Sequence, residues 1–312
     1  MSHPHDSTTI LSKKWYHFLS PRYWALWFAL GLLRLCICLP YGALMRLGQG
    51  LGLLVMHVLP KRRHITAVNL KLCFPHLSEA ERAQMMRESF KSAGMGLMET
   101  ALAWWASDDY LRKKLVVNGI EHIVAAKQKQ QGLMFMTGHF TSIELGIRLL
   151  SFCTPIYVMY RPQNSKLFEW ILQRARKGYV VGGITRYDAR GMLKTLHGDN
   201  AICYTPDQDY GRLSSVFAPF FNVPAASVTG TSRFIKRSGA AVVPGFYYRH
   251  LATKQYSLNF FPALENFPSE DDVQDATRVN QIIEQAILKA PTQYMWQHRR
   301  FKTRPEGVPY PY

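Results

Sequence analysis

The sequence predicts an α/β fold, a mostly parallel sheet covered by helices, preceded by an N-terminal membrane-anchoring helix. After Asn118-Gly119, apolar runs of strand length alternate with amphipathic runs of helix length, the pattern of a helix-covered parallel sheet. Hydrophobic residues make up 47% of the 312 residues against 19% charged, enough for a sizeable core and too apolar for global disorder. The anchor rests on Tyr23 to Leu39, which is almost continuously apolar and broken only by Arg34. That run approaches the roughly 20 residues of a membrane-spanning helix.

Residues 1–20 are polar and rich in His, Ser and Thr, and are expected to be loosely ordered. In the 23–39 run, Trp and Tyr gather at the N-terminal end, as in an interfacial belt. Its length and the lack of a small-residue cleavage site argue against a signal peptide. An amphipathic hairpin lying on the membrane is the alternative to a span. Leu44 to Leu59 carries Arg46 and several glycines and stops at Pro60, so it reads as an interfacial or core helix. The basic collar Lys61-Arg62-Arg63-His64 suits a cytoplasmic headgroup region, although Lys13, Lys14 and Arg22 flank the other side. The chain therefore divides into 1–20, an anchor over 21–60, and a main domain over 61–312. Ser78-Glu79-Ala80-Glu81 is a capping signal that opens a long helix with apolar positions from Met85 to Trp105. Strands are expected at 115–118, 132–137, 155–160, 179–182, 200–205, 241–247 and 256–261. Helices are expected at 120–131, 142–152, 166–177, 189–197, 227–238 and 272–290. Pro305, Pro309 and Pro311 make the tail extended.

The formal net charge of +17 asks for an anionic partner: nucleic acid, a membrane surface or a phosphorylated substrate. No RNA-binding aromatic signature, zinc-finger spacing or basic zipper is present, so no nucleic-acid partner is expected. The five cysteines, Cys36, Cys38, Cys73, Cys153 and Cys203, are odd in number and form no C-x-x-C pair. Neither a disulfide framework nor a zinc site is indicated, and a reduced compartment fits. Phosphate-binding and dinucleotide-binding glycine loops are missing, as is a G-x-S-x-G elbow.

Chemistry concentrates just past the expected strands, where open α/β sheets place their sites. His139 follows the buried run Leu133 to Met136, and Glu144 lies five positions on, at the start of a helix. On a continuous helix residues five apart diverge by about 140°. With His139 in the preceding turn, the two side chains can meet. A carboxylate that holds one imidazole nitrogen leaves the other as a base near neutral pH, able to deprotonate a hydroxyl for acyl transfer. Arg161, held out of the helical region by Pro162, can fork onto a phosphate or carboxylate. Asp207, in the turn Pro206-Asp207-Gln208-Asp209-Tyr210-Gly211, either caps that turn or orients a basic group or the histidine. Arg299, Arg300, Lys302 and Arg304 put four cations into the tail.

These blocks together resemble the late acyltransferases of lipid A biosynthesis, the lauroyl- and palmitoleoyl-transferring type above all. The resemblance runs through Pro21-Arg22-Tyr23-Trp24, Asn69 to Pro75, Gly94 to Thr100, His139 to Gly146, Tyr160-Arg161-Pro162, Pro206 to Gly211, Ser214 to Phe217 and Gln293 to Pro309. It implies a glycerolipid acyltransferase-like domain over 61–312, on the cytoplasmic side of a bacterial inner membrane. The implied donor is acyl carrier protein, and the implied acceptor is Kdo2-lipid IVA, esterified on a 3-hydroxyacyl chain. No cofactor and no metal are implied. The family's His-x4-acid motif falls on His139 and Glu144, with Asp207 as support and backbone N–H groups of 142–152 or Arg161 as oxyanion donors. Arg161 is equally a candidate to hold an acceptor phosphate, and Arg299, Arg300, Lys302 and Arg304 are expected to touch phosphate, Kdo or carrier protein. Lauroyl is the first expected chain, ahead of myristoyl and palmitoleoyl. A lysophospholipid acyltransferase, which usually has Asp where Glu144 stands, and a non-catalytic membrane adaptor are the alternatives.

Overall fold

A computed structural model describes residues 14–128, 131–198 and 200–312. At its centre are the strands β1 (Leu115–Asn118), β2 (Leu133–Met136), β3 (Ile156–Tyr160), β4 (Gly182–Thr185), β5 (Ala201–Tyr204), β8 (Ala241–His250) and β9 (Gln255–Phe260). They form one seven-stranded sheet in the order β1-β9-β8-β2-β5-β3-β4. Every pairing is parallel except β8 with β9. All four residues of β2 and all four of β5 are buried, as strands covered on both faces must be. Helices α6 (Ile120–Gln128), α7 (Ile143–Leu150), α8 (Lys166–Arg176), α9 (Ala189–His197), α10 (Gly230–Ser238) and α11 (Asp272–Lys289) connect and cover the strands.

Two elements differ from expectation. The strand expected at 179–182 lies at 182–185, because Tyr179 and Val180 close the turn after α8 through hydrogen bonds to Arg176 O. Residues 215–228 form an unforeseen antiparallel hairpin, β6 (Ser215–Phe220) and β7 (Val223–Val228). Pro219 faces Pro224 in that hairpin, and prolines demote a strand reading from sequence. Its turn residues Phe221 and Asn222 both have positive φ, the twist that suits a tight two-residue connection. The helix expected from 227 therefore starts at Gly230.

The N-terminal half is built from α1 (Trp24–Cys36), α2 (Tyr41–Val58), α3 (Pro60–Cys73), α4 (Glu79–Trp105) and the short α5 (Asp108–Arg112). The helix expected over 23–39, as a span or a deep anchor, is shorter than its apolar run. Pro40 disfavours helix at the residue before it, and α1 stops at Cys36 after 13 residues. At 1.5 Å per residue that is about 20 Å, short of a hydrocarbon core of about 30 Å. Among the described residues no single helix is long and apolar enough to cross a membrane. Among the same residues the pair α2 and α3, bent by 97°, reaches that length and composition together. Helix α2 buries Leu44, Met45 and Met56 against α4, which places it in the core. Gly52 and Gly94 let those two backbones touch, since a Cβ on Gly94 would lie 2.0 Å from Gly48 O. Within the stretch expected to be loose, Trp15–Phe18 forms a 3-10 turn with Phe18 buried against Leu167 and Trp170. Residues 1–13 lie outside the described residues.

The topology sets where a site can form. From β2 the chain crosses through α7 to β3, which lies beyond β5. From β5 it crosses through the hairpin and α10 to β8, which lies on the other side of β2. Two neighbouring parallel strands whose connections leave in opposite directions open a crevice at their carboxyl ends.

Candidate active site

Register carries the two key residues into that crevice together. Met136 pairs with Tyr204 at the ends of β2 and β5, and Thr137 N donates to Tyr204 O at 3.0 Å, adding one rung. His139 and Asp207 each come three residues after those paired ends. The Asp207 carboxylate accepts from His139 Nδ1 at 2.6 Å and from the His139 backbone N at 2.9 Å. Tyr294 OH donates to its second oxygen at 2.8 Å. Asp207 is fully buried. Burial favours its neutral form, but the neighbouring His139 charge and the hydrogen bonds from His139 and Tyr294 outweigh it and hold the carboxyl well below its usual range. A carboxylate only accepts, so Nδ1 donates to it and Nε2 is the nitrogen left for proton exchange. That Nε2 faces the cavity beside the Thr205 hydroxyl at 3.3 Å.

Glu144 is not the partner of His139. It sits in the first turn of α7, buried, with its carboxylate taken by three other groups. Arg176 Nη2 and Nε donate to it at 2.6 and 3.0 Å, Tyr179 OH at 2.8 Å and Trp104 Nε1 at 3.1 Å. Burial would raise the Glu144 carboxyl, yet the Arg176 charge and these hydrogen bonds bring it below its ordinary value. The reason is angular: α7 aims this side chain at the neighbouring helix α8 and away from the loop that holds His139.

Three segments wall the site. Residues 293–298 run antiparallel to the His139 loop, with Met295 N donating to His139 O at 3.0 Å and Thr141 N donating to Gln293 O at 2.8 Å. Asn69 on α3 clamps that segment by donating to Trp296 O and His298 O, both at 2.7 Å. From behind, buried Arg249 on β8 pairs with Glu99 on α4 at 2.6 Å and donates to Ser142 Oγ at 3.1 Å. Gly96 presses α4 onto the same loop, since a Cβ there would lie 2.2 Å from Thr141 O.

The cavity beside His139 has a volume of about 440 Å³. Ile143, Ile147, Val158 and Leu172 line its apolar part, while Arg161, Arg176, His298 and Lys302 supply polar groups. Arg161 is exposed at the cavity, with Asn164 Oδ1 3.4 Å from its guanidinium. Lys302 lines both this cavity and an adjoining groove, which Arg304 and Arg212 also line. Arg300 does not reach substrate space. It is buried, donates to Ala226 O at 2.7 Å and Ser227 Oγ at 2.9 Å, and stacks on Phe220. Inside the hairpin the buried guanidinium finds a backbone carbonyl and a hydroxyl to receive its N–H groups. Arg299 is half-buried and lines neither the cavity nor the groove.

Sequence reading missed Arg176, Tyr294 and His298. Arg176 lies inside a helix pattern with no local signal of chemistry, and Tyr294 falls in the block Gln293 to Pro309 without a role of its own in the sequence. His298 stands inside the basic run of the tail, where four neighbouring cations mask it. Among the described residues no group of three or more His, Cys, Asp or Glu is placed to hold a metal ion.

The family described as bacterial lipid A biosynthesis acyltransferase matches residues 11–303. A lipid A biosynthesis palmitoleoyltransferase of Escherichia coli (strain K12) is 42% identical over 291 residues, covering 93% of this chain and 95% of that protein. A lipid A biosynthesis lauroyltransferase of the same strain is 41% identical over 292 residues, with the same coverage of 93% and 95%. A lipid A biosynthesis myristoyltransferase of that strain is 27% identical over 301 residues, covering 95% and 92%. Among solved structures, a 1-acyl-sn-glycerophosphate acyltransferase from Thermotoga maritima aligns with 74% of this chain and 99% of that one, at 14% identity and a TM-score of 0.37. That last likeness is too weak to bear on fold or activity.

Proposed function

The chain belongs to the bacterial lipid A biosynthesis acyltransferase family, and from that premise we propose that it moves a fatty acyl chain, lauroyl first, from acyl carrier protein to a hydroxyl of a 3-hydroxyacyl chain on Kdo2-lipid IVA. The observation that carries the chemistry is the Asp207 grip on His139 Nδ1, which assigns the base role to Nε2. His139 takes the proton of the acceptor hydroxyl through Nε2. The oxygen attacks the thioester carbonyl carbon, and the π pair moves onto the carbonyl oxygen. Collapse breaks the C–S bond, and the thiolate leaves with the proton from His139. Asp207 stays ionised and stabilises the transient imidazolium, a contribution of the size of general-base catalysis, roughly 10²–10⁴-fold.

Glu144 and Arg176 act at one remove. Their ion pair fixes α7 against α8 and so shapes the cavity in which Ile147 and Leu172 meet the acyl chain. Arg161, Lys302 and Arg304 are the cations positioned for acceptor phosphates or for the acidic donor protein. The net charge of +17 supports two anionic substrates.

Membrane attachment, on the cytoplasmic face of the inner membrane, rests on exposed apolar side chains. Trp24, Phe28, Leu32 and Leu35 of α1 are 63%, 70%, 48% and 66% exposed, with Lys61, Arg62 and Arg63 exposed on α3. This is the composition of a surface that dips into an anionic interface. An apolar groove of about 760 Å³ among α1, α2 and α4, lined by Leu30, Leu33, Leu51 and Met98, gives hydrocarbon chains a place to lie.

Purified protein is tested for transfer from lauroyl-, myristoyl- and palmitoleoyl-acyl carrier protein to Kdo2-lipid IVA, with His139→Ala in parallel. Product from lauroyl donor, lost in the variant, is the expected result. Product that survives the His139 change would sink the mechanism, and no product from folded wild-type protein would sink the substrate assignment.

A further inference from the structure

Charge develops on the thioester oxygen during acyl transfer, and a donor must meet it. Four backbone N–H groups near the base are already taken. His139 N donates to Asp207, Phe140 N to Gly138 O, Thr141 N to Gln293 O and Ile143 N to Phe140 O. Arg176 gives its Nε and Nη2 to Glu144. None of the four backbone groups is free to receive an oxyanion.

His298 lines the same cavity as His139. Its Nε2 is buried with no hydrogen-bond partner among the described residues. Its backbone, by contrast, is tightly held: its carbonyl accepts from Asn69 at 2.7 Å and from Arg300 N at 3.0 Å. The segment that carries it is bonded directly to the His139 loop through Met295 N and His139 O. A buried ring nitrogen without a partner, on a backbone bonded to the loop of the base, is a hydrogen-bonding group without a structural use.

We propose that His298 is a second catalytic histidine, whose ring N–H donates to the carbonyl oxygen of the acyl thioester and holds the oxyanion of the tetrahedral intermediate. This rests on the acyl-transfer reading above. No proton moves to or from His298: it donates a hydrogen bond while His139 carries the proton from hydroxyl to thiolate. Burial, together with the nearby charges of His139, Lys302 and Arg300, brings its pKa down to about 4. It therefore stays neutral at physiological pH, with one N–H to give.

The test compares wild type, His298→Ala, His298→Gln and Arg161→Ala in transfer from lauroyl-acyl carrier protein to Kdo2-lipid IVA, with unfolding midpoints measured on all four. Loss of one oxyanion donor lowers kcat by about 10²–10³-fold. His298→Ala is expected to show that loss with KM for both substrates changed less than threefold. His298→Gln, whose amide N–H can stand in for the ring, is expected to recover at least tenfold of it. A donor with sulfur in place of the carbonyl oxygen accepts hydrogen bonds poorly, so the oxygen-over-sulfur preference of wild type should shrink in His298→Ala. An Ala variant within threefold of wild type, a loss seen in KM alone, or an unchanged preference would overturn the inference while leaving acyl transfer intact. A larger kcat loss in Arg161→Ala, with the preference abolished there instead, would assign the oxyanion to Arg161. If the Ala variant does not fold, His298→Phe, which keeps a ring of similar size but has no N–H, takes its place in the thio-donor comparison. A wild type without any turnover overturns the acyl-transfer reading and this inference with it.

Discussion

Replacing Asp207 by Asn separates the two carboxylates that could serve His139. The carboxylate receives three donors: His139 Nδ1 on one oxygen, and His139 N with Tyr294 OH on the other. An amide has one oxygen and one NH2. With its oxygen toward His139 N and Tyr294, its NH2 faces Nδ1. The imidazole must then accept at Nδ1 and carry its proton on Nε2, the nitrogen that has to act as base. With the amide flipped, NH2 meets two donors at 2.9 and 2.8 Å, which is worse. Asp207→Asn therefore leaves the wrong tautomer. The equivalent exchange in the catalytic triad of a serine protease lowers kcat by about 10⁴ for the same reason. A loss of about 10³–10⁴ here corresponds to roughly 4–5.5 kcal/mol in activation free energy. The assay is single-turnover transfer from lauroyl-acyl carrier protein between pH 6 and 9, run also on His139→Ala and the double variant. The double variant should match His139→Ala, because the two residues act as one unit. Activity of Asp207→Asn within tenfold of wild type, in a protein with an unchanged unfolding midpoint, would refute the assignment of Asp207 as the orienting group.

Glu144→Gln leaves the Asp207–His139 pair intact but strands the buried Arg176 charge, so denaturant unfolding should show a loss of about 3–5 kcal/mol. A neutral result would mean that the Arg176 pair does not brace α7. Gly96→Ala puts a Cβ 2.2 Å from Thr141 O, and overpacking of this kind destabilises by about 1–3 kcal/mol. It should also lower kcat, since Thr141 belongs to the His139 loop, and wild-type kcat in the variant would show the loop to be independent of α4. Acid should destabilise the fold in two windows. The His298 pKa is lowered from 6.5 to about 4, so the unfolded chain binds the extra proton between those values and stability falls as pH drops through that range. The Asp207 carboxyl is depressed, so its contribution is complete above its ordinary value of 3.8 and is lost as pH falls further. His298→Gln should flatten the first window in a pH series of urea midpoints and leave the second in place. Phe28→Asp should weaken flotation with anionic vesicles, and unchanged flotation would remove α1 from the membrane contact.

The alternation of apolar runs and amphipathic runs is enough to place six of the seven sheet strands and all the crossover helices to within a few residues. That information is local: burial on both faces demands apolar residues at every position of β2 and β5, and a helix with one buried face must repeat with its own period. The position of His139 at the end of a buried strand is equally legible. Its partner is not. Glu144 is five residues away and Asp207 is 68 residues away, and the nearer carboxylate is the natural reading of the chain. The choice belongs to strand order. Only when β5 docks beside β2, with Met136 opposite Tyr204, do the residues three beyond each strand face one another. Only when α8 packs beside α7 does Arg176 take Glu144 out of reach. The same holds for the tail, whose cations look alike in sequence. Arg300 is enclosed by a hairpin that prolines disguise, while Lys302, two residues on, stays exposed at the cavity. Pairings of this kind depend on how distant segments share one crevice, and no local pattern of side chains encodes that.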